Sequence, residues 1–344
     1  MTTAPMLRTG SDATIDDVAL LAEVSIRTVS RVLNKSPKVK EKTRERIEQA
    51  IATLNFRPSP QARALAMGRS FLIGLIHNDR NALVLDAIQR GIVEVTTRAG
   101  YELVVRPTPL EADAAIRDVI AFAERSRVDG LIILPPVSGV PGLAQALAGA
   151  GVPCAALSAV PIPDFPDVIL SEERKAGMDV ARYLIDLGHR KLAIVNGPAD
   201  TASATERRIG FVEEAARSGA QVIDAPGDYG FASGVAAAEQ LLTLPDRPTA
   251  VFAVNDVMAA GVLKVAAERA IAVPAQLSVV GFDGSLLTQM VSPPLTSVLR
   301  PFGDMAGAAA ARLIARLEGD LPPRCDAQMQ LVVAQSSGPP PRLT

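Results

Sequence analysis

An all-α N-terminal segment built around a helix-turn-helix, followed by an α/β body, is the fold class this sequence predicts, and three observations predict it. Over residues 14–54, apolar residues recur at helical spacing between capping residues, with few bulky side chains among them. From residue 71 onward, short apolar runs alternate with helix-length amphipathic stretches, as parallel strands and their crossover helices do. Charge divides at the same place. Twelve Lys and Arg against seven Asp and Glu leave residues 1–69 at +5, and with −2 overall the remainder carries −7. A basic front suits an anionic partner or a solvated surface.

The first helix starts at Thr14-Ile15-Asp16-Asp17, a capping box in which the hydroxyl accepts from the helix amides and the acid answers the cap's own amide. Val18, Leu21 and Ala22 give it an apolar face. After a short break at Glu23-Val24, Ser25 caps a second helix, on which Val29 and Leu33 lie four apart and face inward. Arg27, Thr28, Ser30, Arg31 and Asn34 are left pointing outward. Two short helices joined by a tight turn, the second presenting Arg, Thr, Ser and Asn, match what a DNA major groove accepts; a solvated helical hairpin is the other reading. A third stretch, "KVKEKTRERIEQAIATLNF", favours DNA. Val39, Ile47, Ile51 and Leu54 complete a three-helix core, and Lys40, Lys42, Arg44 and Arg46 are left for phosphates. Ile26 and Arg27, in the first turn of the second helix, are the expected base readers.

In "RPSPQARALAMGRS", Pro58 and Pro60 interrupt the helix and a short Ala, Arg and Leu-rich piece follows, which reads as a hinge. The body then supplies "FLIGLIH", "YELVVRP", "VDGLIILPP", "VPCAAL", "DVILS", "KLAIVNGP", "TAVFAVND" and "LSVVGFD" as buried parallel strands. Helix-length segments such as 203–219 and 256–270 separate them. At 344 residues, with 48% hydrophobic and 21% charged residues, the chain holds at least two domains and can build large cores in water. No run of about 18 apolar residues appears, and "MTTAPMLRTGSD" lacks the charged-then-apolar pattern of a secretion signal. A cytoplasmic protein with no membrane partner is therefore expected. Cys154 and Cys325 lie far apart without metal-ligand spacing and are read as free buried thiols.

"TIDDVALLAEVSIRTVSRVLN", "KTRERIEQAIATLNFRPSPQARALA" and "SFLIGLI" closely resemble the LacI/GalR family of bacterial repressors, and the resemblance runs to about Ser337. It implies a helix-turn-helix domain over 1–57, a hinge helix over 58–69, a two-lobed effector-binding and dimerisation domain over 70–337, and a flexible tail over 338–344. The body would be periplasmic-binding-protein-like. Two lobes crossed by several linkers would enclose a ligand cleft, the second beginning near Arg190 and the chain returning to the first around Leu295. In the family the hinge helix forms on cognate DNA and pushes a leucine into the minor groove, a position held here by Leu65, with Ala62 and Arg63 beside it. Thr14, Ser25, Ile26, Arg27, Thr28, Ser30, Arg31 and Asn34 complete the expected DNA contacts. Ser59-Pro60 stand where the family often has Asn and a non-proline residue.

The same resemblance carries effector contacts onto Asn255, Asp283 and Arg207, which together offer donors and acceptors to sugar hydroxyls, although Asp256 beside Asn255 also suits a helix cap. Tyr229 and Phe302 match positions that present rings to the effector, with core packing equally open for Phe302. Asn78 and Glu173 match first-lobe contacts. Leu170-Ser171 replace the family's usual Asp-Asn, which implies one missing polar contact. His77, at a strand end, is a further candidate, and His189, after Gly188, reads as structural.

No nucleotide-binding loop, dinucleotide fingerprint, nucleophile elbow or His-Glu-x-x-His is present in the sequence, and no cofactor is expected. Three readings remain: a ligand-controlled repressor, a sugar-binding protein of a transport system, and an α/β enzyme acting on sugars. The basic helical front favours the first: a homodimer on a palindromic operator, controlled by a small sugar-like effector. The tail "QSSGPPPRLT" has no leucine heptads, so tetramerisation by helical bundling is not expected.

Overall fold

The computed structural model describes residues 13–33, 38–56, 68–78, 81–325 and 327–341. The chain divides into two compact units, Met1–Phe71 and Leu72–Thr344. The first holds α1 (Ile15–Leu21), α2 (Ile26–Leu33) and α3 (Glu41–Leu54). The capping box forms as expected: the Thr14 amide donates to Asp17 Oδ2 at 2.8 Å, and the Asp17 amide donates to the Thr14 hydroxyl. Glu23, at φ +50°, makes the turn, and the Thr28 amide donates to Ser25 Oγ at 3.3 Å to open α2.

Val18, Ala22, Val29, Val32, Ile47, Ala50 and Leu54 fill the small core. Leu21 was expected inside but is 38% exposed, and Ala19 is buried instead. At about 100° per residue, the face centred on Val18 and Ala22 takes in Ala19 and leaves Leu21 over its edge. On α2, Val32 joins Val29 in full burial, and Leu33 is only half buried. Asn34, Ser59, Pro60, Ala62, Arg63 and Leu65 lie outside the described residues.

The body contains two sheets. One has the order β2-β1-β3-β4-β5, with β1 Leu72–His77, β2 Glu102–Pro107, β3 Gly130–Ile133, β4 Cys154–Ser158 and β5 Val168–Leu170, all parallel. It packs with α4 (Ala82–Ala99), α5 (Ala112–Ser126), a short 3₁₀ turn and α6 (Leu143–Gly149). The other has the order β11-β10-β9-β8-β6-β7. Its strands are β6 Lys191–Val195, β7 Gln221–Ala225, β8 Ala250–Ala253, β9 Ser278–Asp283, β10 Thr296–Leu299 and β11 Gln330–Val332, and only β11 runs antiparallel. Its helices are α7 (Glu173–Asp186), α8 (Ala202–Arg217), α9 (Phe231–Leu241), α10 (Asp256–Glu268) and the short α11 (Leu287–Met290).

The lobe boundaries differ from those the sequence suggested. Helix α7 packs into the second lobe's core through Ala176, Val180, Leu184 and Ile185, so that lobe starts at Glu173 rather than near Arg190. Leu295 and β10 still belong to the second lobe. The chain returns only at Arg300-Pro301, where α12 (Phe302–Glu318) packs against α4, β3 and β4. It crosses once more to place β11 beside β10. The residues assigned to a flexible tail begin with a fastened one: the Gly338 amide donates to Ser278 Oγ at 3.0 Å, and its carbonyl accepts from that hydroxyl at 2.9 Å.

In each sheet the strand order reverses, between β1 and β3 and between β6 and β8. Crevices at the carboxyl ends of strands on either side of such a reversal are where open parallel sheets receive ligands. His77 ends β1 and Asn255 follows β8, each beside a reversal, and Asp283 ends β9, the next strand along.

Candidate DNA-binding face and effector cleft

Helix α2 presents Ser25, Ile26, Arg27 and Arg31 to solvent, with Thr28 and Ser30 half buried. Ile26 is 46% exposed although it is apolar, and it sits in the first turn beside Arg27, where a major-groove helix meets base edges. Thr14 has its hydroxyl engaged, donating to Asp17 Oδ2 at 2.6 Å, so its structural part is the cap of α1. On α3, Lys40, Lys42 and Arg46 line a shallow groove with Thr43, Glu45 and Gln49. This is a cationic strip of the kind that phosphates occupy.

In the body, the effector candidates divide into a buried ionic centre and a set that serves the frame. Helices α7 and α8 carry the centre because they approach closely: a Cβ on Gly177 would lie 2.2 Å from the Arg207 carbonyl oxygen, and one on Gly210 would lie 1.9 Å from that of Arg174. This approach brings Arg207 over Glu173, with Nε donating to Glu173 Oε2 at 2.7 Å. Arg207 Nη1 donates to the Val254 carbonyl beyond β8, and the guanidinium lies 3.6 Å from the centroid of the Phe282 ring. Nη2 makes no hydrogen bond among the described residues.

Glu173 Oε1 accepts from the Ser171 hydroxyl at 2.8 Å and is ion-paired with Arg300 Nη2 at 3.2 Å, while that Nη2 donates to Ser171 Oγ at 3.4 Å. Burial works against its charge. The Arg207 and Arg300 guanidiniums and the Ser171 hydroxyl nevertheless hold its carboxyl below the usual range. Arg207 is raised further above its ordinary value, because its acidic neighbours outweigh burial.

Asp283 ends β9 at φ +109°, a strained backbone for a residue with a side chain, and its carboxyl makes no hydrogen bond among the described residues. Burial and the nearby Asp256 push it well above the carboxylate range, and Arg207 and Arg300 oppose this only in part. Asp256 is already committed: it accepts from the Ser285 amide and hydroxyl, both at 2.8 Å, and from the Ser297 hydroxyl at 2.6 Å.

Of the two neighbours, Asn255 caps α10. Its Oδ1 accepts from the Met258 amide at 2.8 Å, and its Nδ2 donates to the Tyr229 carbonyl at 2.9 Å. The cap suggested for Asp256 therefore belongs to Asn255. Tyr229, at φ +70°, meets the Ser203 hydroxyl at 3.2 Å, and Phe302 is buried at the start of α12 with Arg300 stacked 4.7 Å from its centroid. Asn78 Nδ2 donates to the Thr108 carbonyl at 2.7 Å in the first lobe.

Ser171, which the sequence suggested would leave a polar contact missing, is buried and bonded to Glu173 and to the Ser158 carbonyl. Arg300 was not singled out from the sequence. The available signal was a cation at a strand end, inside the apolar run "LTSVLRPF". His189 is structural, bonding Thr249, Ser278 and the Gly338 carbonyl, with burial lowering its pKa. Cys154 is buried, its thiol pushed up to about 11, whereas Cys325 is half buried.

A helical DNA-reading unit joined to a two-sheet body with a polar centre at its strand ends defines a DNA-binding transcriptional regulator with a small-molecule site. Residues 14–59 match the model described as bacterial regulatory proteins, lacI family, and residues 181–337 match the periplasmic binding protein-like domain. Catabolite control protein A of Priestia megaterium is 33% identical over 312 residues, which is 89% of this chain and 92% of that protein. The ribose operon repressor of Escherichia coli K12 is 33% identical over 308 residues, 89% and 93% of the two chains. The solved lac repressor dimer bound to operator and the anti-inducer ONPF superimposes with a TM-score of 0.77 at 29% identity, covering 95% and 99%. The chain belongs to the LacI family of bacterial regulatory proteins.

Proposed function

We propose that this protein represses transcription as a homodimer on a palindromic operator and that a small polyhydroxylated effector in the body's cleft controls its affinity for DNA. Ile26 and Arg27 read bases, Ser25, Thr28, Ser30, Arg31 and Asn34 support them, and Ala62, Arg63 and Leu65 of the hinge meet the minor groove. The observation that carries the effector site is the juxtaposition of an open Asp283 carboxyl at the end of β9 with the spare Nη2 of Arg207 on α8, both side chains buried. A carboxyl and a guanidinium edge together satisfy neighbouring hydroxyls, and both would be costly to leave unpaired in an apolar surrounding. Tyr229, Phe302, Asn255 and Asn78 shape and brace that space, and Glu173 stands behind Arg207. The lac repressor's capture with operator and the ribose repressor's name support this class of ligand and target.

The reading is of a cytoplasmic, non-enzymatic protein; no helix among the described residues is long and apolar enough to cross a membrane. A gel shift with palindromic DNA, with and without neutral sugars, tests it. Asp283→Ala and Arg207→Ala should abolish the sugar's effect on DNA binding while sugar-free operator affinity stays near wild type. Equal sugar titrations in wild type and both variants would remove these residues from the site.

A further inference from the structure

We infer that Glu173 is the counter-charge that makes this cleft selective for uncharged ligands, acting through Arg207 and Arg300 rather than touching the ligand. The inference rests on the cleft being the effector site. The Glu173 side chain has no exposure, and both of its oxygens are occupied, Oε2 by Arg207 at 2.7 Å and Oε1 by Ser171 at 2.8 Å and Arg300 at 3.2 Å. The side chain is fully buried against these partners and offers no surface to a ligand.

Two permanent cations converge on this single carboxylate from different parts of the chain. Arg207 comes from α8, and Arg300 from the return crossing after β10, where its buried Nε has no hydrogen-bond partner among the described residues. Asp256 supplies a second negative charge, fixed by its serine partners, while burial pushes the Asp283 carboxyl toward its neutral form. The two guanidiniums are then matched by Glu173 and Asp256 before any ligand enters. An anionic sugar would lose its hydration and find no uncompensated cation, whereas a neutral polyol needs only the Arg207 Nη2 donor and the Asp283 carboxyl. Replacing Glu173 by its amide keeps the shape and leaves one guanidinium unbalanced.

Thermal shift and calorimetric titration of the full-length protein with D-ribose and cellobiose as neutral probes, and D-gluconate, D-glucuronate, D-glucose 6-phosphate and inorganic phosphate as anions, test the idea. Wild type should respond to a neutral sugar and to none of the anions. Glu173→Gln should gain anion affinity by about tenfold or more, a change of one unit charge at partly buried range being worth several kcal/mol before the ligand's own desolvation. Arg300→Gln, which keeps the Glu173–Arg207 pair, should reject anions as wild type does. If Glu173→Gln does not fold, Glu173→Gln/Arg300→Gln removes one charge of each sign, leaves Arg207 matched by Asp256, and should reject anions as wild type does. Wild-type binding of an anion as tightly as a neutral sugar overturns the inference alone, as does a folded Glu173→Gln with no gain or a folded double variant that gains anions. A wild type silent to every sugar, with a variant silent to every anion, overturns both this inference and the effector site.

Discussion

Asp256 shows how a single buried side chain sets a measurable property. It is fully buried among the Ser285 amide and two hydroxyls, and burial pushes its carboxyl from 3.8 up to about 6 despite those donors. A folded-state pKa above the unfolded one means that the native protein holds a proton which the unfolded chain has already released. Stability is therefore lost as pH rises from about 4 to about 6, by at most about 3 kcal/mol for roughly two pK units. Asp256→Asn should make the fall in melting temperature across that window shallower than in wild type, and equal slopes would clear Asp256 of the effect. On the DNA face, Arg27 is exposed in the first turn of α2. Arg27→Ala should cost about 1–3 kcal/mol on the cognate operator and relax base preference in a binding-site selection, while a loss uniform across sequences would make it a phosphate contact instead.

At the scale of elements, the cleft depends on how closely α7 and α8 approach. Gly177 and Gly210 allow the backbones to meet where any Cβ would collide with a carbonyl oxygen, and that contact sets the reach of Arg207 to Glu173 and to the space beside Asp283. Gly210→Ala should force the helices apart. The expected result is a loss of about 1–3 kcal/mol in urea unfolding, as overpacking usually costs, together with weaker sugar binding because Arg207 rides on the displaced helix. Unchanged sugar affinity in a destabilised variant would show that the helix spacing serves packing alone.

For the whole molecule, the division into Met1–Phe71 and Leu72–Thr344 separates reading DNA from sensing a ligand. The body has its own cores on both sheets, and the last described residues are fastened through Ser336, Ser337 and Gly338 to Val279, Thr296 and Ser278. A fragment from Leu72 to Thr344 should therefore fold, show the same sugar-induced rise in melting temperature as the full chain, and bind no operator in a gel shift. The rise follows from mass action, about 2.7 kcal/mol when ligand stands at a hundred times its dissociation constant, and is independent of the DNA-binding unit. Sugar response lost in a folded fragment would show that the two functions are not separable in this way.

By itself the sequence determined what short-range physics can write. The Thr14–Asp17 capping box, the period of α1 to α3, the apolar runs of the central strands and the strand-end Asp283 are each specified within a few neighbouring residues, by capping geometry or by the alternation of buried and exposed positions. The edge strands β7 and β11 and the four-residue β10 inside β11 were not legible, because their pairing comes from the sheet beside them. Only the tertiary structure decided that Glu173 turns its carboxylate to Arg207 and Arg300, that Asn255 rather than Asp256 caps α10, and that the second lobe starts at α7. Those outcomes join residues 34 and more than 120 positions apart, or turn on which of two adjacent polar side chains reaches an amide first. Burial, charge pairing and helix approach settle them, and none of these leaves a periodic trace along the chain.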